Sequence, residues 1–294
     1  MDFRAILMGL GFALMWSSAF TSGRIIVQYA PPLTALAIRF LISGMLGVII
    51  ARMMGQSWRL SREQWQSTVI FGLCQNALYL GLIFVAMQWV EASVVSIIAS
   101  TMPLMVAFFG WLLMGQQLKP MAIAGLVAGV IGVSLIMGAR FTGGIDLAGL
   151  ALCLLAALAL TVATLTVRSA AAGGDVLMIV GLQMLVGAVA VGIAALLFET
   201  WTVTWSPRLF AAFTYTTLVP GLLATWVWFR LVGRIGAVKA ASFHFLNPFF
   251  GVAVAAALLG ERLGSLDLIG VAIIAISIFM VQMSKREPAP REGS

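Results

Sequence analysis

The sequence predicts an all-α integral membrane protein, with ten transmembrane helices in two inverted five-helix repeats. Composition sets the solvent: 62% of the 294 residues are hydrophobic, only 9% are charged, and mean hydropathy is +1.09. A soluble domain carries roughly one quarter charged residues. Apolar runs of helix length recur ten times without barrel alternation. Roughly 20 such residues cross a lipid core of about 30 Å while a helix satisfies its own backbone. Finally, the chain repeats itself at half its length.

The runs fall at about 5–28, 33–51, 67–88, 92–114, 121–138, 147–168, 176–197, 209–231, 236–259 and 264–283. The first follows Arg4 and contains the small residues SSA (17–19), yet its counterpart in the repeat makes it a span rather than a cleaved leader. The prolines of APPL (30–33) separate it from the second, and GQSWRLSREQW (55–65) separates the second from the third. Later connections are equally short: TGG (142–144), AAGGD (171–175) and ETWTVTWSPR (199–208). The expected units are a first repeat at 1–140, a second at 145–285 and a cytoplasmic tail at 286–294.

A shift of 145 residues aligns Ala92 with Ala237, Pro103 with Pro248, Leu113 with Leu258, Gly115 with Gly260, Leu118 with Leu263 and Gly125 with Gly270, without a gap. A shift of 144 places ALMWSSAFTSGR (13–24) on ALALTVATLTVR (157–168). Matched prolines and glycines mark backbone features, so they weigh more than matched leucines. Five spans per unit is odd, so the second unit enters the membrane in the opposite sense, the arrangement in which transport sites form near the midplane. Pro103 and Pro248 each lie roughly 16 to 18 Å into their spans at 1.5 Å per residue, where a proline frees a carbonyl and bends the helix.

The net charge of +7 is distributed by topology. With a cytoplasmic N-terminus, twelve basic residues lie on the inner side: Arg4, Arg52, Arg59, Arg62, Lys119, Arg168, Arg230, Arg234, Lys239, Lys285, Arg286 and Arg291. Arg24, Arg140, Arg208 and Arg262 lie opposite, and Arg39 lies within a span. This positive-inside bias puts both ends in the cytoplasm and speaks against nucleic acid as a partner. Trp58, Trp65, Trp89, Trp201 and Trp205 sit near span ends as interfacial anchors. Gly125, Gly129 and Gly132 form a small-residue packing face, and Gly181, Gly187 and Ala188 a looser one.

MWSSAFTSGRI (15–25), ALAIRFLISGMLGVII (35–50), ASTMPLMVAFFGWLLMGQQL (99–118) and FLNPFFGVAVAAALLGERL (245–263) resemble the repeated EamA-type units of the drug/metabolite transporter superfamily. Within it the chain is similar to the YddG-like exporters of aromatic amino acids. The resemblance implies ten helices, a central substrate cavity, an inner-membrane location and export of small metabolites. Gln116 departs from it, standing where such repeats commonly carry the glutamate seen here at Glu261.

Polar side chains in lipid are costly and face a bundle interior or a wet cavity. By this criterion Trp16, Ser17, Asn76, Tyr79, Ser100, Thr164, Trp226, His244 and Asn247 are the candidate substrate-binding residues, with Pro103 and Pro248 as hinges. Each has a plainer reading. Serine and threonine often bond their own helix backbone, Trp16 and Tyr79 can be packing aromatics, and Asn247 can satisfy a carbonyl freed by Pro248. Arg39, about six residues from its span end, is expected to snorkel outward rather than bind a carboxylate, as is Lys239.

All ten acids lie in loops, tails or span ends, which disfavours exchange of lipophilic cations for protons through a membrane carboxylate. His244 is the sole intramembrane group titrating near neutrality. An intramembrane hydrolase or transferase needs a nucleophile with a partnered base or a metal cluster, and one histidine without HExxH supplies neither. Phosphorylated cargo needs several buried cations, and a passive channel needs a continuous lined pore rather than opposed broken helices. The expectation is a monomeric exporter of amino acids, aromatic or other large neutral ones, without metal or cofactor, whose runner-up is a multidrug or cationic-compound exporter of the same fold.

Overall fold

The computed structural model describes residues 3–114, 119–141, 146–166, 175–235, 243, 246–261 and 264–284. The long elements among them are helices: α1 (Phe3–Val27), α2 (Pro32–Met53), α3 (Arg62–Phe71), α4 (Gly81–Ala86), α5 (Ala92–Ser100), α6 (Met102–Met114), α7 (Pro120–Phe141), α8 (Leu147–Thr166), α9 (Val176–Phe198), α10 (Pro207–Thr216), α11 (Ala224–Ile235), α12 (Asn247–Leu259) and α13 (Ser265–Ser284). A π-helical stretch, Gly72–Leu80, joins α3 to α4, and a second, Thr217–Leu223, joins α10 to α11. Among the described residues, six helical stretches are long and apolar enough to cross a membrane. Within the runs predicted at 121–138, 147–168, 236–259 and 264–283, the apolar helical stretches Pro120–Leu135, Leu147–Ala163, Asn247–Leu259 and Ser265–Val281 are shorter.

Helix starts follow local chemistry. Ser61 and Gln64 form a reciprocal capping box at α3, and Ser206 accepts from Leu209 N at 3.1 Å to open α10. Prolines occupy the first turns of α2, α10 and α12, where an N–H would be orphaned anyway. The fourth predicted span is two helices, broken at Thr101, whose Oγ1 donates to Ile98 O at 2.7 Å. Pro103 lies in the first turn of α6, so the proline starts a helix after the break. Pro248 likewise occupies the first turn of α12. The two matched prolines therefore mark helix starts rather than bends inside continuous helices, because a proline at the N-terminal turn forfeits no intrahelical bond.

Contacts between the two halves of the chain hold the bundle together. The most extensive pairings are α2 with α9 and α7 with α13, and α5 packs on α12. Glycine permits the first two. A Cβ on Gly181 would stand 2.7 Å from Val48 N, and one on Gly125 2.9 Å from Ser277 O, so these backbones approach as only glycine allows. Ser277 Oγ donates to Gly125 O at 2.6 Å across the second pairing. The glycine faces singled out in the sequence thus lie in helix contacts, while Leu196, Leu197, Phe198 and Val130 remain exposed, as in a bundle facing acyl chains.

Helix N-termini are capped by residues of the opposite half. Glu199, just after α9, accepts from Leu33 N and Thr34 N at 2.7 Å each and from Thr34 Oγ1 at 2.7 Å, at the start of α2. Glu261 accepts from Ala92 N at 2.9 Å and Ser93 N at 3.0 Å, at the start of α5. It reaches them because Gly260 adopts left-handed φ 67° and ends α12. At the other end of the bundle the cap is neutral: Gln56 Oε1, after α2, accepts from Met178 N of α9 at 3.0 Å. Carboxylates suit helix N-termini, where unpaired N–H groups and the helix dipole attract negative charge. Glu261, which the sequence leaves as an isolated acid, caps the opposite half; Gln116 lies outside the described residues.

Candidate functional site

The halves meet in a polar seam where α1, α5 and α12 converge. Ser17 Oγ donates to Asn247 O at 3.2 Å, and Ser96 Oγ donates to the same carbonyl at 3.4 Å. Ser100 Oγ donates to Ser96 O at 2.6 Å one turn further along α5. All four residues are buried. Gly251 keeps the seam narrow, since a Cβ there would collide with Ser96 Oγ. Thr21, one turn beyond Ser17 on α1, is buried with its Oγ1 unpartnered. Two predicted site residues, Ser17 and Asn247, are therefore brought together, while Ser100 bonds a carbonyl of its own helix. Ser96 joins them; its helical spacing from Ser100 was the available signal.

Asn76 and Tyr79 belong to a different contact. The Asn76 amide donates to Gln183 O at 2.9 Å, and a Cβ on Gly187 would stand 2.5 Å from Asn76 Cβ, so the asparagine is wedged between the first π stretch and α9. Tyr79, 1% exposed, packs in the apolar core with Ile83, Cys153 and Ala156. Both side chains are enclosed by helix contacts in this conformation. Gln183 is itself buried at mid-helix.

Along α1, Ser18 Oγ lies 2.7 Å from Tyr215 Oη and also donates to Met15 O at 2.8 Å. The tyrosine is therefore the donor of that pair. Trp16 is half-buried beside Phe12, their rings 5.6 Å apart, and Phe12 stacks at 4.8 Å on Trp228. Trp226 is exposed and lies under the Arg230 guanidinium at 5.4 Å. Thr161, Thr216, Thr217 and Thr225 bond their own helix carbonyls at 2.6–2.8 Å, the plainer reading for membrane hydroxyls. His244 lies outside the described residues, as do the side chains of Thr164 and Pro103.

Arg39 overturns its sequence expectation. It does not snorkel outward: the residue is 5% exposed, its guanidinium lies 5.0 Å from the Phe40 ring centroid and 5.8 Å from that of Phe84, and its Nε has no hydrogen-bond partner. Eight residues into α2, its side chain is surrounded by α4 and the second π stretch, and that packing decides its direction. Ser43, one turn on, donates to Thr217 O at 3.1 Å and ties the π stretch to α2.

A cavity of about 480 Å³ opens at the loop end of the bundle, lined by Gln28, Tyr29, Gln88, Glu199, Thr200 and Thr202 among others. It shares Glu199 with the α2 cap and lies apart from the polar seam. No group of three or more histidine, cysteine or acidic residues able to hold a metal occurs among the described residues.

The chain is similar to an uncharacterized transporter, YvbV of Bacillus subtilis, at 29% identity over 95% of this chain and 92% of that one. It is similar to the aromatic amino acid exporter YddG of Ancylobacter novellus at 28% identity, over 47% of this chain and 48% of the exporter. A solved crystal structure superposes with a TM-score of 0.70 at 19% identity, covering 96% of this chain and 99% of that one, which shows the same fold. The model of the EamA-like transporter family matches twice, over residues 3–138 and 147–283. Two matched units, meeting helix against helix across a buried polar seam, place the chain in the EamA-like transporter family.

Proposed function

We propose that the chain is an alternating-access exporter of neutral, amphipathic amino acids, aromatic or other large ones, across a bacterial inner membrane. Ten spans in two inverted repeats, with both ends in the cytoplasm, frame the reading. One observation carries it: the Ser17, Ser96, Ser100 and Asn247 seam joins α1 and α5 of the first matched unit to α12 of the second. Polar groups buried in lipid at the meeting of two repeats are where a transport path is expected. The seam is closed by Ser17 and Ser96 bonding the Asn247 carbonyl. Opening it would free hydroxyls and a carbonyl that suit a polar, uncharged or zwitterionic cargo.

The helix break at Thr101 and the two π stretches supply the places where such a bundle bends. The charged caps Glu199 and Glu261 stand at one end and the neutral Gln56 cap at the other. Separation of the halves at either end would strip those caps from their helices. Purified protein in sealed liposomes is expected to move labelled tryptophan or phenylalanine saturably, with competition by unlabelled large amino acids and none by quaternary cations. Failure to move any tested amino acid overturns the cargo assignment, and competition by the cations favours the multidrug alternative.

A further inference from the structure

A guanidinium cannot shed its proton inside a protein, so a buried arginine needs an anion or a set of acceptors. Arg39 has neither. It forms no ion pair with any described residue, and its enclosed Nε donates to nothing. Phe40 and Phe84 offer ring faces, which attract a cation but leave the planar hydrogen-bonding fork unused. The fork matches a carboxylate bidentately, which no ring can imitate.

The surface opposite is built from backbone. A Cβ on Gly221 would stand 3.8 Å from Arg39 Nε, 3.3 Å from Ser43 Oγ and 3.0 Å from Thr216 O, so glycine keeps this side free of side chain. Pro220 precedes it and offers no N–H, and the turn is π-wound, with Ala224 N donating to Val219 O five residues back. A cation with an idle fork thus stands beside a backbone-faced helix turn, and the complement it lacks is a carboxylate.

We propose that Arg39, facing the Pro220–Gly221 turn, is the recognition site for the carboxylate of the transported molecule. The inference rests on the exporter reading and narrows the cargo to molecules with one carboxylate and no second anionic group. Cations without a carboxylate would be repelled.

The test uses four probes sharing one phenyl group: phenylalanine, phenylalaninamide, phenethylamine and 3-phenylpropanoate. Binding to the purified full chain is followed by thermal shift and calorimetry. The wild type is expected to bind phenylalanine and 3-phenylpropanoate and to bind the amide and the amine at least about tenfold more weakly. R39Q is expected to erase that preference. R39K keeps the charge but loses the fork; it is expected to weaken the two carboxylates about tenfold with an unchanged melting temperature, and it decides the matter if R39Q does not fold. The proposal is overturned if the wild type binds neither acid, if a folded R39Q keeps the full preference, or if R39K binds as tightly as the wild type. If 3-phenylpropanoate binds through Arg39 while phenylalanine does not, the carboxylate site stands and the amino-acid reading falls.

Discussion

At the scale of single residues, what matters is where each hydroxyl or backbone atom finds its partner. Thr161 bonds Ala157 O within its own helix, whereas Ser277 bonds Gly125 O on another. T161A is therefore expected to alter stability by less than about 0.5 kcal/mol, and S277A to lower it by about 0.6–1 kcal/mol, a typical interhelical bond in lipid. Unfolding in mild detergent separates the two. G181A sets a methyl 2.7 Å from Val48 N, a backbone atom that cannot swing aside, and should cost about 1–3 kcal/mol through forced separation of α2 and α9. Sequence spacing alone exposed the glycine faces, because small residues are informative wherever they recur. It could not tell Thr161 from Ser277, since both are hydroxyls in apolar runs and the receiving carbonyl lies 4 residues away in one case and 152 in the other.

At the scale of elements, the caps and the π stretches carry the consequences. E261Q retains a hydrogen-bond acceptor but loses the charge that favours the α5 N-terminus, and should cost about 0.5–1 kcal/mol in thermal unfolding. E199Q should behave alike at α2, and an E261Q protein as stable as the wild type would remove the charge-based account of the cap. Pro220 holds the second π stretch out of regular helix. P220A restores an N–H there, so it is expected to raise the melting temperature and lower the transport rate; a loss of stability would show that the stretch is set by packing instead. The six described stretches long and apolar enough to cross a membrane were legible in the sequence because hydropathy is a local sum. The break at Thr101 was legible only as the proline that follows it, and the first π stretch not at all, because no proline marks it.

At the scale of the whole molecule, the proposed inverted arrangement of the two matched units makes a statement about sides. Single cysteines introduced near residue 4 and near residue 290 are expected to react with a membrane-impermeant reagent only after the inner face is opened, and one at residue 202 to react from outside. Labelling of the two ends on opposite faces would sink the inverted repeat. The same arrangement accounts for the reciprocal caps, since a residue following a helix in one half meets the start of a helix in the other. That relation linked Glu261 to Ala92, a pairing no reading along the chain would suggest.

The sequence by itself determined the solvent, the helical class and the duplication of the unit, because these follow from composition, run length and periodicity, each a sum over neighbours in the chain. Tertiary structure alone decided that Ser17 and Ser96 share one carbonyl, that Asn76 is a wedge between helices, that Glu261 is a cap and that Arg39 is buried. In a medium without water, a polar group must take whatever partner the packed neighbours bring within about 3 Å. Those neighbours are chosen by the association of helices far apart in the chain.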